Sequence, residues 1–267
     1  MRIEVSAELR PLLRPARLDS LRAENEVVLS DLPELDAPRS RRFEGVYGRI
    51  YNRVIQTPAL RRFLFWLWGS AEPLRDLDSF VEGAARAASG VSAEPVLVDV
   101  PSGGGTLLAF LVEVGYAGTV LEVDLAAAMI RRAVRAEQRL SPVGFRVHFL
   151  RSDALDLPLE DGIADTVVSI NGLHVVADHE GFLAELARIT KPGGSLWLIA
   201  PIDGPALRSR AILRAASALG ITPARPPTLA RARQLLEGAG FVDLRWCGGE
   251  SIAGFSCRKQ EFNSPQR

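Results

Sequence analysis

Sulfur, histidine and net charge are what this chain has least of. Its 267 residues include two cysteines, Cys247 and Cys257, and three histidines. Two thiols cannot build a disulfide framework or a four-cysteine zinc site. Both fall in the last pair of expected strands, where buried thiols are the expectation and a bridge is the alternative. His148, His174 and His179 are too scattered along the chain to suggest a metal site, and none is assigned. Basic and acidic residues balance at 32 each. That removes the basic footprint of a nucleic-acid-binding domain, so no nucleic-acid partner is expected. Long apolar runs are absent too. The most apolar short stretch, FLFWLW at 63–68, is far below the roughly 20 residues that span a bilayer, so no stable membrane insertion is expected. The first residues, MRIEVSAELRPLL, carry charges where a signal peptide has its apolar centre, which points to a cytoplasmic protein, monomeric or homodimeric.

What is present suits a globular α/β core. Hydrophobic residues at 47% and charged residues at 24% leave little room for extensive disorder. The length suits one core with an appended segment: residues 1–89 as an N-terminal extension and helical cap, and 90–267 as the main domain. In the extension, RIEVSAEL and ENEVVLSDL read as short strands, punctuated by Pro11, Pro15, Pro33 and Pro38. Phe43, Val46, Tyr47, Ile50, Tyr51 and Val54 fall on one helical stripe. Thr57-Pro58 has the form of a second helix start, and a third helix is expected from Pro73 to Ala88, closed by Ser89-Gly90.

From residue 95 the texture changes. Apolar runs at 95–100, 118–124, 145–150, 164–170 and 195–201 alternate with amphipathic helices, the pattern of a parallel sheet with right-handed crossovers. VDLRWCGG and SIAGFSCRK then form a hairpin, so the sheet should end with an antiparallel strand. The sum is a doubly wound, mostly parallel sheet of seven strands.

Three acids close three successive strands: Asp99, Asp124 and Asp153. Ligands of open α/β sheets bind beyond the carboxyl ends of the strands, so acids placed there point into a crevice. The turn after Asp99 reads DVPSGGG. Gly103 and Gly105 allow a sharp bend and close approach of a ligand, and the following helix points free N–H groups at the same place, where a carboxylate is welcome. No Lys follows the glycines, which excludes a P-loop. Leu108 stands where a dinucleotide fingerprint has Gly or Ala. Asp124, about twenty residues on, is placed to accept both hydroxyls of a ribose. Asp153 suits an exocyclic amine, because an ionised carboxylate only accepts hydrogen bonds. A carboxyl group, a ribose and an aminated base, with no phosphate-binding group, together describe S-adenosylmethionine.

PVLVDVPSGGG, VLEVDLAAAMIRRA, RSDALDLPLEDGIADTVVSINGLHVV and ELARITKPGGSLWLIAP, in that order, resemble the class I S-adenosylmethionine-dependent methyltransferases. Their small-molecule branch, which includes quinone and lipid methylases, is the most similar. The resemblance covers about residues 90–258 and implies a Rossmann-like fold. It also implies roles. Asp99, Gly103 and Gly105 would line the methionine end of the cofactor, with Pro101 where the family usually has its first Gly. That proline suits a turn but removes a backbone N–H. Asp124, with Leu125 beside it, would hold the ribose. Met129 would pack near the adenine, Asp153 and the Ala154 backbone would read its edge, and Asn171 would lie near the methionine and the transferable methyl.

Methyl transfer from a sulfonium needs alignment more than a catalytic signature. Where the acceptor needs a base, His174 in NGLHVV is the candidate; the alternative is a histidine that braces the loop. Tyr47 and Tyr51, one helical turn apart, would face the acceptor or pack against the core, and FLFWLW would line an apolar acceptor pocket or fill core. The expected activity is methylation of a small, apolar or aromatic molecule. Its rivals are a catalytically inactive binding protein of the same fold, an oxidoreductase on a dinucleotide fold, and a nucleic-acid or protein methylase. NGLHVV lacks the Asn/Asp-Pro-Pro-aromatic pattern of base-methylating enzymes.

Overall fold

A computed structural model of the chain describes residues 5–24, 27–30, 73–205, 225–248 and 251–261, with isolated positions between these stretches. The sheet has nine strands: β1 Leu21–Glu24, β2 Val27–Ser30, β3 Val96–Asp99, β4 Thr119–Asp124, β5 Arg146–Arg151, β6 Ala164–Ile170, β7 Thr190–Pro201, β8 Phe241–Gly248 and β9 Ile252–Lys259. Their order is β1-β2-β5-β4-β3-β6-β7-β9-β8. β3 to β7 are parallel and β9 is antiparallel to both β7 and β8. The expected seven strands are there, and two more extend the sheet past β5.

Of the extra pair, β2 comes from ENEVVLSDL, whose Val27, Val28 and Leu29 run parallel to Phe149, Leu150 and Arg151 of β5, and β1, LRAE, lies just ahead of it and pairs antiparallel to β2. Without β2 that edge would present unpaired N–H and C=O groups. RIEVSAEL is not a strand where it is described. Residues 7–9 turn and Arg10–Leu12 form a single 3-10 turn, because Pro11 has no N–H to give a ladder and its fixed φ suits a helical start. Leu9 and Leu13 instead enter the core, at 2% and 1% exposure.

This leading stretch is strapped to the loop after β5. Arg14 N donates to Pro158 O at 3.0 Å, Glu160 N donates to Leu12 O at 3.0 Å, and Leu13 bridges Leu159. Arg17 pairs with Asp156, and Arg14 lies 3.5 Å from Asp156 and 3.7 Å from Glu185.

Five helices among the described residues cover the sheet: α1 Pro73–Ala88, α2 Thr106–Glu113, α3 Ala127–Leu140, α4 His179–Ile189 and α5 Leu229–Gly238. α1 buries Leu77, Phe80, Val81, Ala84, Ala85 and Ala88, the spacing of one helical face, against the same side of the sheet as α2. Phe80 meets Trp197 of β7 edge-on at 5.3 Å. On the other side Phe182, Leu183, Leu186 and Ile189 of α4 and Leu235 and Leu236 of α5 join Leu9, Leu13, Leu21 and Val28 in the second core. Side-chain caps start both of those helices: Asp178 accepts from Gly181 N at 2.8 Å and Thr228 from Arg231 N at 3.2 Å.

Cys257 is buried and Cys247 exposed, and the two form no disulfide. Burial pushes the Cys257 thiol up to about 12, which keeps it protonated and inert. No helix among the described residues is long and apolar enough to cross a membrane. The helix expected from Phe43, with Tyr47 and Tyr51, lies outside the described residues. So does FLFWLW except Phe63, which is helical and 59% exposed.

Candidate cofactor site at the carboxyl ends of the strands

The strand order sets β5, β4, β3 and β6 side by side. From β3 the chain winds outward through β4 and β5, then returns to place β6 on the other flank. The gap between β3 and β6 is therefore a topological switch point, where α/β sheets open a crevice. Asp99 and Asp124 end their strands there, Asp153 follows β5 by two residues, and Asn171 follows β6 directly.

Asp124 is held by the chain itself. Its Oδ2 accepts from Gly103 N at 2.9 Å and its Oδ1 from Ala126 N at 2.8 Å. Burial pushes this carboxyl up to about 6, and the two N–H donors offset part of that rise. Asp99 is 1% exposed, and its Oδ1 has no hydrogen-bond partner. Burial first, and then the charge of Asp124, hold it well above the usual carboxylate range.

The two glycines play different parts. Gly105, at φ +73°, lies against α3: a Cβ there would stand 3.0 Å from Ala133 Cα. Gly103, at φ +57°, has no atom within 4 Å of where its Cβ would be, so the turn is open above it. Pro101 packs against the loop after β6, since a Cβ on Gly172 would come within 2.6 Å of its Cδ. Asn171 has φ 59°, donates its N–H to Ile199 O at 2.7 Å, and carries a buried Oδ1 with no partner.

Met129 is buried at the start of α3, with Arg132 Nη1 3.2 Å from its sulfur. Leu125 is half-buried, and its carbonyl accepts from Arg151 Nε at 3.1 Å. Asp153 accepts from Leu155 N at 3.0 Å, which fixes its carboxylate beside half-buried Ala154. His174, just past β6, is 6% exposed, and burial pushes its imidazole down to about 4. Among the described residues no group of histidine, cysteine and acids is arranged to hold a metal ion.

Two features escape a reading of the sequence. Glu122 sits inside the apolar run of β4 at 0% exposure, opposite Asp99 in the ladder. An acid amid VLEVD was the one available signal, and strand periodicity alone does not say what it faces. Beyond the end of β7, Ile202, Pro205, Leu229 and Trp246 line a mainly apolar cavity of about 490 Å³, with Asp203 and Thr228 also in its wall. These residues come from three separated segments, so no local pattern marks them.

A doubly wound sheet with a glycine turn at its switch point opens a ligand crevice at the carboxyl ends of its central strands. Residues 98–198 match the family model described as a methyltransferase domain. A demethylmenaquinone methyltransferase of Thermus thermophilus is 40% identical over 101 residues, 38% of this chain; the chain thus spans only 44% of that relative's length. A nocamycin O-methyltransferase of Saccharothrix syringae is 30% identical over 173 residues, covering 56% of this chain and 60% of that one. The phosphoethanolamine N-methyltransferase 2 of Haemonchus contortus, solved with S-adenosyl-L-methionine, superposes with a TM-score of 0.57 at 14% identity, over 79% of this chain and 60% of that one. That likeness is one of fold.

Proposed function

We propose that the chain binds S-adenosylmethionine across the ends of β5, β4, β3 and β6 and passes its methyl group to a small, apolar or aromatic acceptor. The observation that carries this reading is the pair of buried, unpartnered oxygens, Asp99 Oδ1 and Asn171 Oδ1, on the two sides of the switch point and next to the open turn at Gly103. Buried polar atoms are rarely left unpaired, so a polar ligand is their natural partner.

The residues present fit that cofactor. Asp99 and the Pro101–Gly105 turn face its amino-acid end, and Asn171 closes the other side. An ionised carboxylate has about four acceptor positions. Gly103 and Ala126 occupy two on Asp124, and the others suit a ribose diol, with Leu125 alongside. Met129 offers an apolar surface to the adenine, whose edge falls to Asp153 and the Ala154 backbone. When bound, the cofactor supplies the activated methyl, so the protein's part is to align the acceptor and exclude water.

The cavity beyond β7 gives an apolar acceptor a place to lie, and Tyr47 and Tyr51, outside the described residues, would face that acceptor. His174, held neutral by burial, has a lone pair for an acceptor's proton. The quinone and nocamycin methyltransferases among its relatives support a small-molecule acceptor.

Calorimetry with S-adenosylmethionine and S-adenosylhomocysteine is the first test. Wild-type protein is expected to bind both in the micromolar range, and Asp124→Ala to bind far more weakly. Undetectable binding to wild type overturns the reading. Methyl transfer is then assayed on a panel of demethylated quinones and phenols. Cofactor binding with no transfer to any of them makes the chain a binding protein of this fold.

A further inference from the structure

Glu122 stands directly across the β3–β4 ladder from Asp99. Register partners in a parallel sheet point to the same face, and adjacent strands lie about 4.8 Å apart. The two carboxyl groups therefore share one patch of interior, below the glycine turn. Both are enclosed, at 0% and 1% exposure. Neither oxygen of Glu122 has a well-formed hydrogen bond, and the Ser102 hydroxyl is the one group near enough to favour its ionised form.

The surroundings supply no counter-cation among the described residues. The charges acting on Glu122 are those of Asp99 and Asp124. Its ladder neighbour on β5 is Phe149, and Asp99 faces Val168 of β6. Of the helices on this side, α3 turns Arg132 to Met129 and leaves Arg131, Arg135 and Arg139 exposed. On α1, half-buried Asp78 is a further acid and Arg86 pairs with Glu82, and α2 carries only exposed Glu113. Arg151, the register partner of Asp124, gives its Nε to Leu125 O.

We propose that Asp99 and Glu122 hold one proton between them in the ligand-free protein and release it when the cationic cofactor binds, so that Glu122 is a positioning residue that ties cofactor affinity to pH. This inference rests on the cofactor reading above. Two adjacent carboxyl groups in a dry interior do not both ionise without a compensating positive charge. S-adenosylmethionine brings an ammonium and a sulfonium against a single carboxylate. Its arrival near Asp99 supplies the charge the pair lacks. The carboxylic O–H bond breaks, the proton passes to buffer, and no bond to the cofactor forms. The direction agrees with burial first, and then with the charge of Asp99 on Glu122 and of Asp124 on Asp99, which hold both carboxyls well above their ordinary range.

The test is calorimetry of S-adenosylmethionine binding at pH 7 in buffers of different ionisation enthalpy, with wild type, Glu122→Gln and Glu122→Asp. Asp124, titrating near 6, is already mostly ionised at that pH. Wild type is expected to release roughly one proton per cofactor, and its affinity to rise by up to about tenfold per pH unit between 6 and 8. Glu122→Gln is expected to lose most of the proton release and flatten that dependence, and Glu122→Asp to keep both. Wild-type binding without proton release overturns the proposal and leaves the cofactor reading intact. Release that survives undiminished in Glu122→Gln removes Glu122 from it. Absence of any binding sinks the cofactor reading and this inference together. The wild-type proton count needs no variant, so the proposal stands or falls on it even where a substitution misfolds.

Discussion

Asp124 concentrates the proposed site's chemistry in one side chain, because the carboxylate that fixes the glycine turn is also the one that would hold the ribose. A hydrogen bond to a charged group contributes about 1.5–3 kcal/mol. Asp124→Ala is therefore expected to weaken S-adenosylhomocysteine binding by roughly ten- to a hundredfold by calorimetry. His174 leads to a different expectation. With its imidazole pushed down to about 4, it is already neutral at pH 6. The pH–rate profile between 6 and 9 should have the same shape in wild type and His174→Asn, whatever the change in kcat. A limb near pH 6.5 that disappears in the variant would contradict the burial of this histidine. Glu122 tests the interior itself. A carboxyl whose folded pKa is raised loses stability as pH climbs from its ordinary value near 4 through the raised one. Glu122→Gln is accordingly expected to melt above wild type at pH 8, with the gap closing toward pH 4 by thermal denaturation. At this scale Asp99 and Asp124 are legible as acids that end apolar runs, and Asp153 as the acid that follows β5 by two residues. Glu122 is not, because its meaning lies in the register between two strands.

Secondary-structure elements show where sequence pattern is sufficient. β6 runs over 164–170 and α1 over 73–88, as their periodicities predict. β7 begins at Thr190, earlier than the apolar run at 195, because Thr190 pairs with Ala164 ahead of a register shift that Pro192-Gly193-Gly194 conceals. The helix before it accordingly stops at Ile189, short of the proline. Arg188, near the end of α4, bonds Glu185 and Asp161 and donates to the carbonyls of Leu157 and Leu159. Its loss would remove the nearest counter-charge of buried Glu185 and free the loop after β5. Arg188→Ala is expected to cost about 3 kcal/mol in urea denaturation. A value near zero would show that these contacts are replaced by solvent at no cost.

For the molecule as a whole, the two leading strands decide whether the sheet has a bare edge. Sequence pattern revealed ENEVVLSDL as extended, but nothing local tells a strand which edge it will join. With β2 removed, β5 would expose its ladder groups, and the core would lose Leu9, Leu13, Leu21 and Val28. Deleting residues 1–30 is expected to lower the melting temperature and raise light scattering at micromolar concentration; a truncated chain that stays monodisperse would show that the edge is protected by other means.

The strap formed by Arg14 and Arg17 fastens this same leader to the loop that carries Asp153. In the site proposed here, nucleobase selection would thereby be tethered to a stretch of polypeptide more than a hundred positions upstream. A purification tag, a stray protease cut or concentrated electrolyte acting on that stretch would detune adenine recognition while every contacting side chain stayed in place.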